Sequence, residues 1–251
     1  MIKTKREEFY QSHKTSEESF NIYQEILDRG DIKKDIEKIV SEMVNKKEKL
    51  NYLDIGCGTG KRTLSFKHFL EDFDLKVIAD GLDLSQNNVS EAVKLGINAV
   101  WHDIEKEKPP FQADIITCFE VIEHIYDTDR FVRNVYDTLN TSGVLMVSTP
   151  NTISWKNRIS MIFGIPPLNL EVSLKDYYGL KLLKRFFKNF EPSAHIRGFT
   201  PLSLKELLED NGFKVKSTWG LENWRIAKFF GSFPSLATNF LLIARRKDNE
   251  H

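Results

Sequence analysis

Tyr52-Leu53-Asp54-Ile55-Gly56-Cys57-Gly58-Thr59-Gly60 is an apolar strand that runs into a turn with glycine at every second position and then into a helix. Gly56, Gly58 and Gly60 supply positive φ and let ligand atoms approach the backbone where a Cβ would clash, while the helix offers unpaired amides at its N-terminus. A corner of this kind builds a nucleotide pocket. Spacing narrows the choice of nucleotide, because a dinucleotide fingerprint needs G-x-G-x-x-G and Lys61 stands where the third glycine belongs. The chain also lacks the G-x-x-x-x-G-K-[ST] of a phosphate-binding P-loop.

Read from Asp54 to Gly60, the segment closely resembles the first motif of the class I S-adenosylmethionine-dependent methyltransferases. The resemblance implies a Rossmann-like α/β fold. Its seven-stranded sheet would be mostly parallel with an antiparallel last strand and helices on both faces, with an N-terminal helical extension and a lid insertion after the fifth strand. It also implies S-adenosylmethionine as cofactor, S-adenosylhomocysteine as product, and a pocket wall made by Asp54, Gly56, Cys57, Gly58 and Gly60.

The next segments fall where that family would put them. Leu75 to Asp83 reads as a second strand ending in an acid 23 residues after Gly60. A carboxylate there can accept hydrogen bonds from both ribose hydroxyls, and Leu84 offers adenine an apolar face. The plain alternative for Asp83 is an N-cap for a helix beginning near Ser85. A third strand, Ile97 to Trp101, leads to Asp103 and Ile104. Asp103 sits where family members hold the adenine amino group, although an Asp after a strand is often a turn residue. The fourth strand, Ala113 to Phe119, runs into Glu120-Val121-Ile122-Glu123-His124-Ile125. This stretch is similar to the fourth motif of a small-molecule subgroup that includes quinone-pathway O-methyltransferases and methyltransferases of sugar and polysaccharide pathways. Phe119 and Glu120 thereby join the expected cofactor contacts.

Size and composition agree with one domain over residues 1–251: helices over 1–50, a cofactor-binding core over 51–150, a substrate lid over 151–199, and a C-terminal helix and strand pair over 200–251. The two cysteines, Cys57 and Cys118, have neither metal-ligand spacing nor a disulfide framework, which fits a reducing cytoplasm. Cys57 reads as a small residue filling a tight turn. Met1 to Gln11 is charged, unlike a signal peptide, and no apolar run approaches bilayer length. Net charge is zero, but residues 51–150 carry 9 basic and 16 acidic side chains while 151–200 carry 8 and 3. That distribution suits local function better than nucleic-acid binding.

Residues 16–48 show a helical apolar rhythm broken near Gly30. A helix is predicted from Thr128 to Asn140, followed by a turn at Thr141-Ser142-Gly143 and a fifth strand over Val144 to Thr149. Another helix is predicted from Thr200 to Asn211, with Pro201 at its first position and Gly212 beyond its end. Phe213 to Trp219 and Asn239 to Arg245 read as the last strands, an antiparallel pair at one sheet edge. Between Asn151 and Phe199 lies the segment expected to choose the substrate. Asn151, Arg158 and His195-Ile196-Arg197 are similar to strings in the polysaccharide-pathway members, which points to Asn151, Arg158 and Arg197 as substrate ligands. Residues 180–190 form a basic amphipathic helix, either a lid packed on the core or a peripheral contact with a membrane surface.

Methyl transfer from a sulfonium is an in-line displacement, so the protein must chiefly align the nucleophile and exclude water. A hydroxyl acceptor benefits from a base that titrates near neutrality, and His124 and His195 are the candidates; either can instead be structural. No metal site is expected, since His102-Asp103 and Glu123-His124 read as scattered pairs. O-methylation of a sugar, glycan precursor or quinone-like ring stands ahead of N- or C-methylation. The competing readings are an NAD-dependent oxidoreductase, disfavoured by Lys61, and a non-catalytic cofactor-binding protein, disfavoured by the intact acids Asp54, Asp83 and Asp103.

Overall fold

The structure is a computed structural model that describes residues 24–44, 48–173, 176, 178–179, 194–222 and 232–247. The amphipathic helix expected over 180–190 lies outside the described residues. A helical turn at 24–28 breaks at Arg29 and resumes as α1 (Gly30–Val44), as the periodicity predicts. The core then alternates: β1 (Lys49–Ile55), α2 (Lys61–Glu71), β2 (Lys76–Asp83), α3 (Gln86–Lys94), β3 (Asn98–Trp101) and β4 (Ala113–Phe119). A 3₁₀ turn (Ile122–His124), α4 (Thr128–Thr138) and β5 (Leu139–Pro150) follow. After β5 comes an insertion that contains α5 (Trp155–Ile162), and the chain returns through α6 (Pro201–Asp210), β6 (Phe213–Leu221) and β7 (Asn239–Arg246).

The strands form one seven-stranded sheet in the order β3-β2-β1-β4-β5-β7-β6. β1 to β5 pair in parallel, and β7 lies antiparallel between β5 and β6. The order reverses between β1 and β4, so their carboxyl ends open a crevice where doubly wound sheets take ligands.

Strand alternation sorts the core onto the two faces. Leu50, Tyr52, Ile115 and Phe119 join α1, α2 and α3 through Ile32, Ile36, Phe66, Val89 and Ala92. Leu53, Ile55, Ile116 and Cys118 join α4 and α6 through Phe131, Val135, Leu204 and Leu208. Cores on both faces explain why β4 is buried at every position.

Two boundaries differ from the sequence reading. α4 stops at Thr138 because Leu139 is fully buried and already extended. The turn expected at Thr141-Ser142-Gly143 is instead a bulge inside β5, where pairing with β4 steps from Ala113↔Leu139 to Ile115↔Val144. Ser142 takes φ 62° there. α6 begins and ends as predicted: Thr200 caps it in a reciprocal pair with Ser203, Pro201 is its first residue, and Gly212 follows at φ 88°.

Candidate active site

The glycine turn takes the left-handed backbone its sequence demands, with φ of 74° at Gly56, 54° at Gly58 and 81° at Gly60. Gly56 N and Cys57 N both donate to Leu82 O, at 2.8 and 2.9 Å, which folds the turn onto the end of β2. A Cβ on Gly56 would meet Val121 at 2.4 Å, and one on Gly60 would meet Ala92 at 2.9 Å. These two glycines therefore admit the loop after β4 and helix α3 to the turn. Cys57 fills the space beneath as a buried, inert thiol, since burial raises its pKa and Asp54 and Asp83 raise it further.

Asp54 is buried, and its carboxylate ties three elements together. It accepts from Thr63 Oγ1 of α2 and Thr117 Oγ1 of β4, both at 2.7 Å, and Thr117 also pairs with Tyr52 Oη at 2.8 Å. Burial pushes its pKa up, opposed by Arg62 and the two threonines. Asp54→Ala would leave two hydroxyls without their acceptor in a dry site, so a loss of about 2 to 3 kcal/mol is expected in urea unfolding. An unchanged midpoint would show that the carboxylate does not hold the turn.

Asp83 is anchored by its neighbours. Oδ2 accepts from Gly58 N at 2.8 Å, and Oδ1 accepts from Ser85 N at 2.8 Å and Asn88 Nδ2 at 3.2 Å. The cap of α3 is Ser85, so Asp83 does a different job, joining the glycine turn to the helix start. Leu84 is half-buried, with its carbonyl accepting from Trp101 Nε1. Asp103 accepts from Glu105 N at 3.2 Å and pairs with Lys106 at 2.8 Å, which is the behaviour of a turn residue, while Ile104 is buried beside it. The Phe119 ring points into the core, edge-on to Phe66.

Past β4 the backbone is strained. Glu120 has φ 58°, a conformation that costs a non-glycine residue about 1 to 3 kcal/mol and persists only where the surroundings enforce it. Ser148 Oγ and Asn239 Nδ2 each donate to its carboxylate at 2.8 Å, and Glu120 N donates to Ser148 O. Those bonds aim the next residues toward the insertion.

There Glu123, His124 and His195 converge. Each imidazole Nε2 lies 3.9 Å from Glu123 Oε1, the rings are 4.9 Å apart, and the three ligand atoms fall within 4.8 Å of one another. His124 Nδ1 pairs with Ala194 O and His195 Nδ1 with Asn169 O, at 3.2 and 3.1 Å. A carbonyl can only accept, so each Nδ1 carries its proton and each neutral ring turns its lone pair at Nε2 toward the carboxylate. Glu123 Oε2 accepts from Thr149 Oγ1 at 2.9 Å, but Oε1 is buried without a hydrogen bond. Burial pushes the Glu123 carboxyl well above its usual range, and Glu120 and Glu171 push it further. Three electron-rich atoms facing one another in a dry site favour a proton or a metal cation between them.

This corrects the reading of Glu123-His124 as a scattered pair. The fold supplies the third member from the far end of the insertion, where Ile196 N and Arg197 N both donate to Glu123 O at 3.0 Å. The same folding buries residues the sequence did not single out. Asn157 donates to Asn151 O, Thr152 O and Asn169 Oδ1 and accepts from Leu168 N, while Glu171 Oε2 accepts from His195 N. Asn157 sits in no recognisable spacing, whereas Glu123 was visible beside His124.

The expected substrate ligands divide. Arg197 stacks on Tyr126 and donates to its carbonyl, next to the cluster. Asn151 is buried, with its amide donating to Pro234 O and Ala237 O, and Arg158 donates to Ile153 O and Ser235 O. Both hold the insertion to the loop before β7.

Comparison with known proteins agrees with this architecture. A methyltransferase-domain family matches residues 25–218. Among solved structures, an S-adenosylmethionine-dependent methyltransferase from Clostridium acetobutylicum ATCC 824 superposes with TM-score 0.57 at 17% identity, covering 85% of this chain and 89% of that one. Magnesium protoporphyrin IX methyltransferase from Synechocystis PCC 6803, with bound S-adenosylhomocysteine, gives TM-score 0.53 at 16% identity over 98% of this chain and 100% of that one. The chain belongs to the class I S-adenosylmethionine-dependent methyltransferases. Relatives by sequence are the ubiquinone biosynthesis O-methyltransferases of Rickettsia prowazekii (strain Madrid E), 31% identical over 229 residues, 85% of this chain and 78% of that protein, and of Rickettsia canadensis (strain McKiel), 27% identical over 192 residues, 74% and 71%.

Proposed function

We propose that the enzyme methylates a hydroxyl oxygen on a small quinone-related ring, and that Glu123, His124 and His195 activate that hydroxyl. The convergence of these three side chains at the carboxyl edge of the sheet carries the reading, supported by the activity in the relatives' names. S-adenosylmethionine supplies an activated methyl group. Asp83 would hold its ribose, and Gly56 and Gly58 would let it lie against the backbone. The hydroxyl proton passes to an imidazole Nε2 as the oxygen bonds the methyl carbon, and the carbon–sulfur electron pair stays on sulfur. The segment 151–199 acts as the substrate lid of one domain, with Arg197 at its rim. Among the described residues no helix is long and apolar enough to cross a membrane, and a small acceptor taken up in the cytoplasm is the working expectation.

A second reading of the same cluster rests on the buried, unbonded Oε1 of Glu123. Two imidazole nitrogens and a carboxylate oxygen form a donor set for a divalent cation, which would lower the pKa of a bound hydroxyl directly. The test is release of S-adenosylhomocysteine from a panel of catechols, hydroxybenzoates and sugar nucleotides, before and after EDTA. Turnover of the ring acceptors supports the proposal, and turnover confined to sugar nucleotides or amines overturns it. Loss of at least about tenfold with EDTA, restored by Mg²⁺, Mn²⁺ or Zn²⁺, assigns the activation to a cation. Insensitivity to EDTA assigns it to the histidines acting as bases.

A further inference from the structure

Arg62 stands in the first turn of α2, where a cation opposes the positive end of the helix dipole. Its guanidinium reaches back across the turn, and Nη2 donates to Gly56 O at 3.0 Å. Nη1 is buried and makes no hydrogen bond. A buried guanidinium nitrogen without an acceptor is costly, and a helix start is a poor place for it, so local stability does not account for this residue.

Its surroundings point to a ligand. Asp54, Asp83 and Arg62 all act on the Cys57 thiol, so two negative charges and one positive charge converge on the glycine turn. Asp54 is already bonded to Thr63 and Thr117, and Asp83 to Gly58, Ser85 and Asn88. Along the sheet edge, adenine belongs near Asp103 after β3 and the ribose at Asp83 after β2. The strand order then brings the amino-acid tail over Gly56, between β1 and β4. That tail ends in an ammonium and a carboxylate. The two acids suit its positive groups and repel its negative one.

We propose that Arg62 Nη1 is the donor that binds the carboxylate of S-adenosylmethionine, with the Nη2 bond to Gly56 O holding the guanidinium in place. Arg62 thereby selects the intact amino-acid tail over adenosine thioethers that lack the acid. This inference rests on the cofactor pocket proposed above and names one further contact within it.

The test compares two ligands in calorimetry: S-adenosylhomocysteine, and S-adenosyl-3-thiopropylamine, which differs only in lacking the carboxylate. Wild type should prefer the first. Arg62→Met should weaken S-adenosylhomocysteine by about tenfold to a hundredfold, the scale of a lost charge-assisted hydrogen bond. It should leave the decarboxylated ligand within about twofold, because that ligand never used the bond. Arg62→Lys keeps the charge without the fork and should retain part of the preference. If Arg62→Met does not fold, the ratio of the two affinities in Arg62→Lys decides: a ratio equal to that of wild type overturns the assignment. Equal losses for both ligands, or none for either, also overturn it and leave Arg62 as a counter-ion to Asp54. Failure of wild type to bind either ligand would refute the cofactor pocket itself, a separate outcome.

Discussion

Replacing His124 with alanine is expected to lower turnover by about 10² to 10⁴-fold, with S-adenosylmethionine affinity changed by no more than about twofold. The imidazole sits 3.9 Å from Glu123 Oε1 and its Nδ1 is committed to Ala194 O, so Nε2 is the atom available for chemistry. The Gly56–Gly60 turn and Asp83 lie outside the cluster, which is why cofactor binding should survive. His195→Ala and Glu123→Gln should each cost a comparable factor. The double variant His124→Ala/His195→Ala should be little worse than either single one, because residues that act as a unit are not additive. Stopped assays on one acceptor, with cofactor affinity measured separately, check this. A His195 variant that loses cofactor affinity as severely as an Asp83 variant would dissolve the division between cofactor core and lid.

Asp83→Ala is expected to weaken S-adenosylmethionine by about 2 to 3 kcal/mol. The structure adds a reason beyond the ribose, because removing the carboxylate also strips Gly58 N of its acceptor and loosens the turn. Asp83→Asn separates the two contributions, since an amide can still accept from one side while losing the charge. Calorimetry that finds unchanged affinity in a folded Asp83→Ala protein would remove this residue from the pocket.

The sheet was legible because its strands are short, apolar and followed by punctuation that admits few alternatives: glycines after β1, Asp83 after β2, prolines before β4. The bulge in β5 was not, since Thr141-Ser142-Gly143 carries the composition of a turn and only pairing with β4 turns it into strand. Phe119 shares a strand face with Ile115, so its inward ring follows from alternation, which a reading by motif position overlooks. The meeting of His124 with His195 was illegible for a different reason. It depends on an insertion without periodicity, pinned by Asn151, Asn157 and Arg158 through backbone carbonyls that leave no mark in the sequence.

Glu120 owes part of its strained backbone to Asn239, the first residue of β7. β7 is also the strand that joins β6 to the rest of the sheet. During synthesis, then, every residue of the glycine turn and of the histidine cluster leaves the ribosome before the strand that braces the loop between them. A nascent chain at that stage has β5 as an open edge, prone to pairing with other chains. Catalytic competence is therefore acquired at the end of translation, and a product cut short before residue 239 would carry the recognisable motifs of the enzyme without its assembled site.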